Sequence, residues 1–183
     1  MTIKETGFEG LVEIYPSIFE DSRGFFFESY NKPTFEKHGL KHDFVQDNQS
    51  FSVKGVVRGL HMQLEPYAQS KFVRVITGKV LDVVVDMRPA SKTFGQVYYC
   101  TLDAKLNNSM LIPEGFAHGF VALEDSIFSY KCGNIYNKES ETGILWNDKT
   151  LNIDWAVENP IVSEKDLLLP TFEEFVARHS INS

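Results

Sequence analysis

Two stretches of the chain set histidine among basic and amide side chains. The first, FVQDNQSFSVKGVVRGLHMQ, runs over residues 44–63, and the second, IPEGFAHGF, over residues 112–120. Gln69–Ser70–Lys71 lies between them, and Ser163–Glu164–Lys165–Asp166 stands near the C-terminal end. A base that removes a proton beside a carbonyl needs a cationic neighbour to stabilise the enolate oxygen that forms. His61 has such neighbours in sequence, with Arg58 three positions before it and Lys71 at the head of the next strand-like segment. Neutral imidazole is a suitable base near pH 7, and a carboxylate such as Asp166 can orient a histidine as the acidic member of a catalytic triad does. A surface or structural histidine and a capping carboxylate are the plainer readings of the same residues. Geometry raises one difficulty. Arg58 and His61 have opposite strand parity, so a regular strand sends them to opposite faces. Gly59 between them marks either a bulge or the strand's end, and the sequence leaves both open.

The second stretch carries Pro113-x-Gly115-x-x-His118, a turn leading back into a strand, in the form of the second histidine motif of cupins. The first cupin motif supplies His-x-His as metal ligands; the matching place here reads His61–Met62–Gln63. Two imidazoles and an amide fall short of the three good ligands that metal sites normally offer, so no metal is expected. Tyr130 and Tyr136 ordinarily read as packing. The alternatives are a phenolic acid or a ring that stacks on a nucleobase. Arg23, in Asp21–Ser22–Arg23–Gly24, is either a surface turn residue or a planar fork for phosphate.

These residues must be positioned by strands, because almost nothing in the chain has helical periodicity. Strand-like segments run over Leu11–Tyr15, Gly24–Tyr30, Phe44–Gln46, Val56–Leu60, Lys71–Ile76, Val80–Asp86, Val97–Leu102, Ser109–Ile112, Gly119–Leu123 and Ile127–Cys132. Gly78 interrupts VRVITGKVLDVVVD and predicts a tight hairpin there. Many β-branched and aromatic strands at short intervals predict an antiparallel sandwich or barrel. Helix is confined to one or two turns at Thr34–His38, after Pro33, and to Phe172–Arg178. Thr171 and Glu174 open the latter as a capping box.

Composition narrows the function. A net charge of −7 is the wrong sign for broad nucleic-acid binding, although local Arg and Lys can still hold a small anion. Aromatic residues at 13% suit a core of flat side chains or a site that grips rings. Cys100 and Cys132 have no metal-type spacing and read as small buried hydrophobes of a reducing compartment. MTIKETGFEG lacks the apolar stretch of a secretory signal, and no run approaches the ~18 apolar residues of a membrane span. No linker or repeat divides the chain, so residues 1–183 are expected to form one domain of a cytoplasmic protein without nucleic-acid or membrane partners.

Taken together, the motifs resemble those of the dTDP-4-dehydrorhamnose 3,5-epimerase family. The resemblance is carried by DSRGFFFESY (Asp21–Tyr30), FVQDNQS (Phe44–Ser50), RGLHMQ (Arg58–Gln63), QSKFVRV (Gln69–Val75), GKVLDVVVD (Gly78–Asp86), IPEGFAHGF (Ile112–Phe120), LWND (Leu145–Asp148) and SEKD (Ser163–Asp166). They follow family order over about residues 7–170. The resemblance implies an all-β cupin jelly roll, a homodimer, no cofactor, and a dTDP-linked 4-keto-6-deoxy sugar as substrate in dTDP-L-rhamnose biosynthesis. It implies His61 as proton acceptor with Asp166 paired to it, Tyr130 as proton donor on the opposite sugar face, and Lys71 near the keto oxygen. It further implies substrate contacts from Arg23, Glu28, Gln46, Asp47, Asn48, Arg58, His118, Glu141 and Lys165, with Glu139 as the alternative to Glu141, and thymine stacking by Tyr136. The rivals are an epimerase acting at C3 or C5 alone, a 3,4-ketoisomerase, a metal-dependent cupin, and a cupin that binds a nucleotide sugar without turning it over.

Overall fold

The structure, a computed structural model, describes residues 1–179. Its strands are β1 (Thr2–Glu5), β2 (Val12–Tyr15), β3 (Phe19–Asp21), β4 (Gly24–Phe26), β5 (Gln46–Ser52), β6 (Val56–Gln63), β7 (Lys71–Thr77), β8 (Lys79–Asp86), β9 (Val97–Asp103), β10 (Ser109–Ile112), β11 (Phe116–Ala122), β12 (Ser126–Cys132), β13 (Glu141–Gly143) and β14 (Ile161–Val162). Helix α1 (Lys32–Lys37), a 3-10 turn (Asp166–Leu168) and α2 (Phe172–Arg178) complete the elements. One sheet runs β1-β2-β10-β7-β12-β5 and a second β13-β6-β11-β8-β9, while β3 and β4 pair only with each other. β14 joins β6 in parallel, and the β11 pairings with β6 and β8 are antiparallel like the rest of the second sheet. This is the antiparallel jelly roll expected from the strand pattern.

The sequence of β8 shows how the layers are made. Val80 and Val84 enter the core between the sheets with Leu11, Val73, Val75, Phe120 and Phe128. Val83 and Val85 point the other way, into a second core with Val57, Leu60, Val121, Trp155 and Phe175. A strand covered on both faces reads as a continuous apolar run; Asp82 interrupts it on the inner side. Helix α2, at seven residues, is too short to persist alone. Its Thr171–Glu174 capping box and the burial of Phe175, worth about 2 kcal/mol, hold it over the second sheet. On the outer face of the first sheet, α1 buries Phe35 against Val12, Ile14, Phe72 and Leu111. Cys100 and Cys132 are buried and unpaired. Among the described residues no helix is long and apolar enough to cross a membrane.

Four sequence expectations need correction. Gly78 does not close a hairpin: β7 pairs β10 and β12, whereas β8 pairs β11 and β9. The glycine is a corner between sheets. Its φ of +79° and the crowding of any Cβ against Asp125 O and Ser126 Oγ explain the residue choice. The apolar pattern is the same whichever strands supply the partners, which is why it suggested a hairpin. The strand expected over Gly24–Tyr30 stops at Phe26, since β4 has β3 alone as neighbour, and Tyr30 turns in to pack on Phe35, Phe44 and Phe72. The strand placed at Phe44–Gln46 begins instead at Gln46 and runs through the polar QDNQSFS, because Phe44 is used in that aromatic cluster. The first helix starts two residues before Thr34, capped by the Asn31 side chain on Thr34 N–H.

Candidate active site

The site begins with an irregularity in β6. Against β11, His118 is opposite His61 and Phe120 is opposite Arg58, so three steps on β6 match two on β11. The extra residue lies at Gly59–Leu60. Gly59 takes φ +125°, and a Cβ there would stand 2.5 Å from Gly119 Cα, so only glycine fits the close approach of the two strands. The bulge resets the side-chain alternation. Arg58 and His61 thereby face the same cavity, which a regular strand forbids.

Asp166, buried behind the cavity wall, reaches His61 from the 3-10 turn. His61 Nε2 lies 2.7 Å from Asp166 Oδ1, and Gly59 N–H donates to Asp166 Oδ2 at 3.2 Å. The glycine of the bulge therefore also fixes the carboxylate. Burial pushes Asp166 up, but the hydrogen bonds and charge from His61, Gly59 and Ser163 outweigh it and hold the carboxyl below the usual range. An ionised Asp166 can only accept, so His61 Nε2 carries the hydrogen and Nδ1 is left as the basic nitrogen.

Two adjoining chambers of about 160 and 260 Å³ share His61, Lys71, Tyr130 and Glu141. Together they fall in the size range of small-molecule sites, roughly 300–1,000 Å³. Lys71 heads β7, opposite Cys132 of β12. Among the described residues its ammonium makes no hydrogen bond or ion pair, and burial pushes its pKa down, only partly countered by Asp82 and Glu141. Tyr130 projects from the middle of β12 and packs on Phe128. Burial raises its pKa, so the phenol stays protonated and able to donate. Arg58 is held in place by Ser52 Oγ and Phe51 O at 3.0 and 3.1 Å.

One side of the first chamber is formed by a linked set of side chains. Glu141 Oε2 accepts from Tyr136 O–H at 2.8 Å and from Lys165 Nζ at 2.6 Å. Burial pushes Glu141 up, yet Lys165 and Tyr136 bring it below the usual carboxylate range. Gln46 and Asn48 line the same chamber from β5, and Gln46 Oε1 accepts Tyr136 N–H at 2.9 Å. Glu139, the alternative to Glu141, is exposed in the preceding turn and does not line the cavity.

A profile of the dTDP-4-dehydrorhamnose 3,5-epimerase family matches residues 5–174. The chain belongs to this family. Over 169 residues it is 51% identical to the dTDP-4-dehydrorhamnose 3,5-epimerase of Shigella flexneri, covering 91% of this chain and 93% of that one. The crystal structure of the Elizabethkingia anophelis enzyme superposes with a TM-score of 0.91 at 47% identity, covering 95% of this chain and 97% of that chain. The Legionella pneumophila dTDP-6-deoxy-D-glucose-3,5-epimerase, crystallised with dTDP-4-keto-L-rhamnose, gives 0.92 at 42% identity, covering 97% and 95% respectively.

Not every residue assigned by family resemblance gathers at this cavity. Asp47 alternates with Gln46 and Asn48 along β5 and so faces the opposite side, bound to Lys131 at 2.6 Å. Lys165 meets the cavity only through Glu141. Arg23 lies on the β3–β4 hairpin, 88% exposed and paired with Asp21, while Glu28 follows it and accepts from Asn31. Neither lines the chambers. His118 does line one, but its Nε2 is engaged at 3.0 Å by both oxygens of Asp82. Asp82 was missed as the partner of His118. Its signal was a lone acid inside the run Val80–Val85, where a carboxylate needs a partner to be buried.

Proposed function

We propose that this chain converts dTDP-4-dehydro-6-deoxy-D-glucose to dTDP-4-dehydro-L-rhamnose by inverting C3 and C5, a step of dTDP-L-rhamnose biosynthesis. The observation that carries the reading is His61, hydrogen-bonded to Asp166, sharing one cavity with Tyr130 and with a Lys71 that has no partner among the described residues, in a member of this epimerase family. C3 and C5 both flank the C4 ketone, so removal of either proton delocalises the electron pair onto O4. His61 Nδ1 takes the proton, and the imidazolium is stabilised by Asp166. Lys71, with Arg58, holds the negative oxygen, and its partly desolvated charge acts more strongly than it would in water. Tyr130 O–H then delivers a proton to the carbon from the other face and is reprotonated from solvent, while His61 releases its proton to solvent. One base and one oxyanion site thus serve both carbons, and no electrons are exchanged with a cofactor.

Gln46, Asn48, Tyr136 and Glu141, backed by Lys165, would seat the nucleotide and the sugar, with His118 on the inner wall. The reading includes a single-domain, cytoplasmic homodimer. Exposed Phe19, Phe25 and Phe26 on the β3–β4 hairpin support pairing with a second copy. The hairpin would bring Arg23 and Glu28 to the partner's cavity, because they do not reach their own; Asp47 would act from the outer face of the same sheet.

Incubation with the 4-keto sugar nucleotide in deuterated water, followed by NMR, tests the reading. Deuterium at C3 and C5 with formation of the L-sugar is expected. Labelling at one carbon alone would establish a monoepimerase, and binding without labelling would establish a non-catalytic nucleotide-sugar protein.

A further inference from the structure

The second half of the His61–Met62–Gln63 motif has a role that neither proton transfer nor metal ligation covers. Gln63 is 6% exposed and its amide is fully used on the chain itself. Its Nε2 donates to Tyr67 O at 2.6 Å and to Ile135 O at 3.1 Å, and its Oε1 accepts Asn137 N–H at 2.8 Å. Ile135 and Asn137 are the two neighbours of Tyr136. The bonds to Ile135 and Asn137 therefore grip the backbone on either side of a ring that lines the cavity. Further amides act on the same loop: Gln69 Nε2 donates to Asn134 O at 2.7 Å, Asn134 Nδ2 to Pro66 O at 3.2 Å, and Gln46 Oε1 accepts Tyr136 N–H. Tyr136 itself is 52% exposed and has little packing to hold it.

We propose that Gln63 is a positioning residue for ligand binding, which fixes the 134–137 loop so that the Tyr136 ring is already in place when the nucleotide arrives. The inference rests on the proposed dTDP-sugar substrate. With both N–H groups spent on carbonyls, Gln63 has no donor to offer a ligand and acts through Tyr136. An immobilised ring loses no freedom on binding, and a loop released from its staples would have to be ordered by the ligand. The effect should therefore fall on affinity and leave the chemistry at His61 largely alone.

The substitution that probes this is Gln63→Glu. The carboxylate keeps the shape and can accept from Asn137, but it faces two carbonyl oxygens with no hydrogen to give. Calorimetric binding of dTDP should weaken about tenfold, and KM should rise similarly, with kcat within about threefold of wild type. In a Tyr136→Ala background the same change should alter dTDP affinity less than twofold, because the residue through which it acts is gone. An equal loss in both backgrounds, unchanged affinity, or a fall confined to kcat would overturn the proposal. A measurement on the wild-type protein guards against a variant that fails to fold: the Asn137 amide should be protected from hydrogen exchange without ligand, and exchange at the rate of a free loop amide would also overturn it. Failure of wild-type protein to bind dTDP would instead count against the proposed substrate.

Discussion

Two histidines on facing positions of β6 and β11, His61 and His118, each pair with a carboxylate, and the two pairs are built differently. His61–Asp166 is open and asymmetric. The imidazole side chain is 31% exposed, one carboxylate oxygen meets it at 2.7 Å, and the other is taken by Gly59 N–H. His118–Asp82 is closed and symmetric: the side chains are 8% and 0% exposed, and both oxygens stand 3.0 Å from one nitrogen. Burial pushes His118 down and Asp82 up, so both groups resist carrying charge, whereas Asp166 is held below the usual range and stays ionised. The open pair is suited to accept a proton during turnover. The closed pair is suited to shape the inner wall. Similar chemical groups thus take different roles because one pair has a backbone donor on its carboxylate and a partly exposed imidazole, and among the described residues the other has neither.

Breaking the open pair should have the largest effect. His61→Ala should lower deuterium incorporation at C3 and at C5 by about 10³-fold, within the range for loss of a general base. Substantial exchange at either carbon in a folded variant would remove the residue from that role. Asp166→Asn keeps the shape but no longer stabilises the imidazolium, and should cost about 10²-fold, the low end of the general acid–base range. Its effect on stability has a fixed sign. A carboxyl whose folded pKa is depressed stabilises the fold above its unfolded value, about 3.9, and loses that contribution as pH falls through the folded value. The gap in melting temperature between wild type and Asp166→Asn should therefore be present at pH 7 and shrink below about pH 4.

The opposite face of the sugar sharpens the contrast. Tyr130→Phe keeps the ring against Phe128 but removes the donor. Enolate formation at His61 survives, and return of the proton from the same side gives labelled starting material. Inversion should fall by about 10²-fold and exchange by much less, most visibly at C5. An unchanged ratio of inversion to exchange would show that Tyr130 only packs.

The closed pair should answer mainly in stability. Asp82→Ala leaves the neutral His118 buried without its hydrogen-bond partner, and an unsatisfied buried polar group costs about 2 kcal/mol. Denaturant unfolding should register that loss, while turnover of the folded fraction stays within about tenfold. A rate loss matching that of Asp166→Asn, with unchanged stability, would erase the distinction between the two pairs.

The legibility of these features followed the range of the forces behind them. Most of the core strands and the short α2 with its capping box are written in local pattern and read correctly as elements, and His61, Arg58 and Lys71, close in that pattern, line one chamber. What joined His61 to Asp166 is a contact across 105 positions, which entered only through family resemblance. The parity conflict between Arg58 and His61 correctly located an irregularity at Gly59, but the choice between bulge and strand end needed the register with β11. Gly78 misled because hydrophobic alternation records that a strand has partners and not which strands they are. Arg23 and Glu28 resembled site residues by motif, yet within one chain they are exposed. Asp82 was visible as an acid in an apolar run, and its partner was not.

The smallest expected effect is none at all, and it concerns the place where a metal would bridge the two pairs. A carboxylate on one imidazole nitrogen is also the arrangement found behind metal-binding histidines, so His61 and His118 do not decide the matter. Gln63 does. Its amide occupies the third ligand position of the motif, and all of its hydrogen-bonding groups are engaged by Tyr67, Ile135 and Asn137. Turning it toward an ion would release the loop that carries Tyr136, and without it two imidazoles fall short of the usual three protein ligands. Proton transfer between His61, the sugar and Tyr130 requires no Lewis acid when Lys71 and Arg58 already face the developing charge. Prolonged treatment with excess chelator should therefore change the rate of deuterium incorporation by less than twofold. Loss of that rate, restored by one divalent metal and by no other, would make the open pair a ligand set and reverse the assignment of its base.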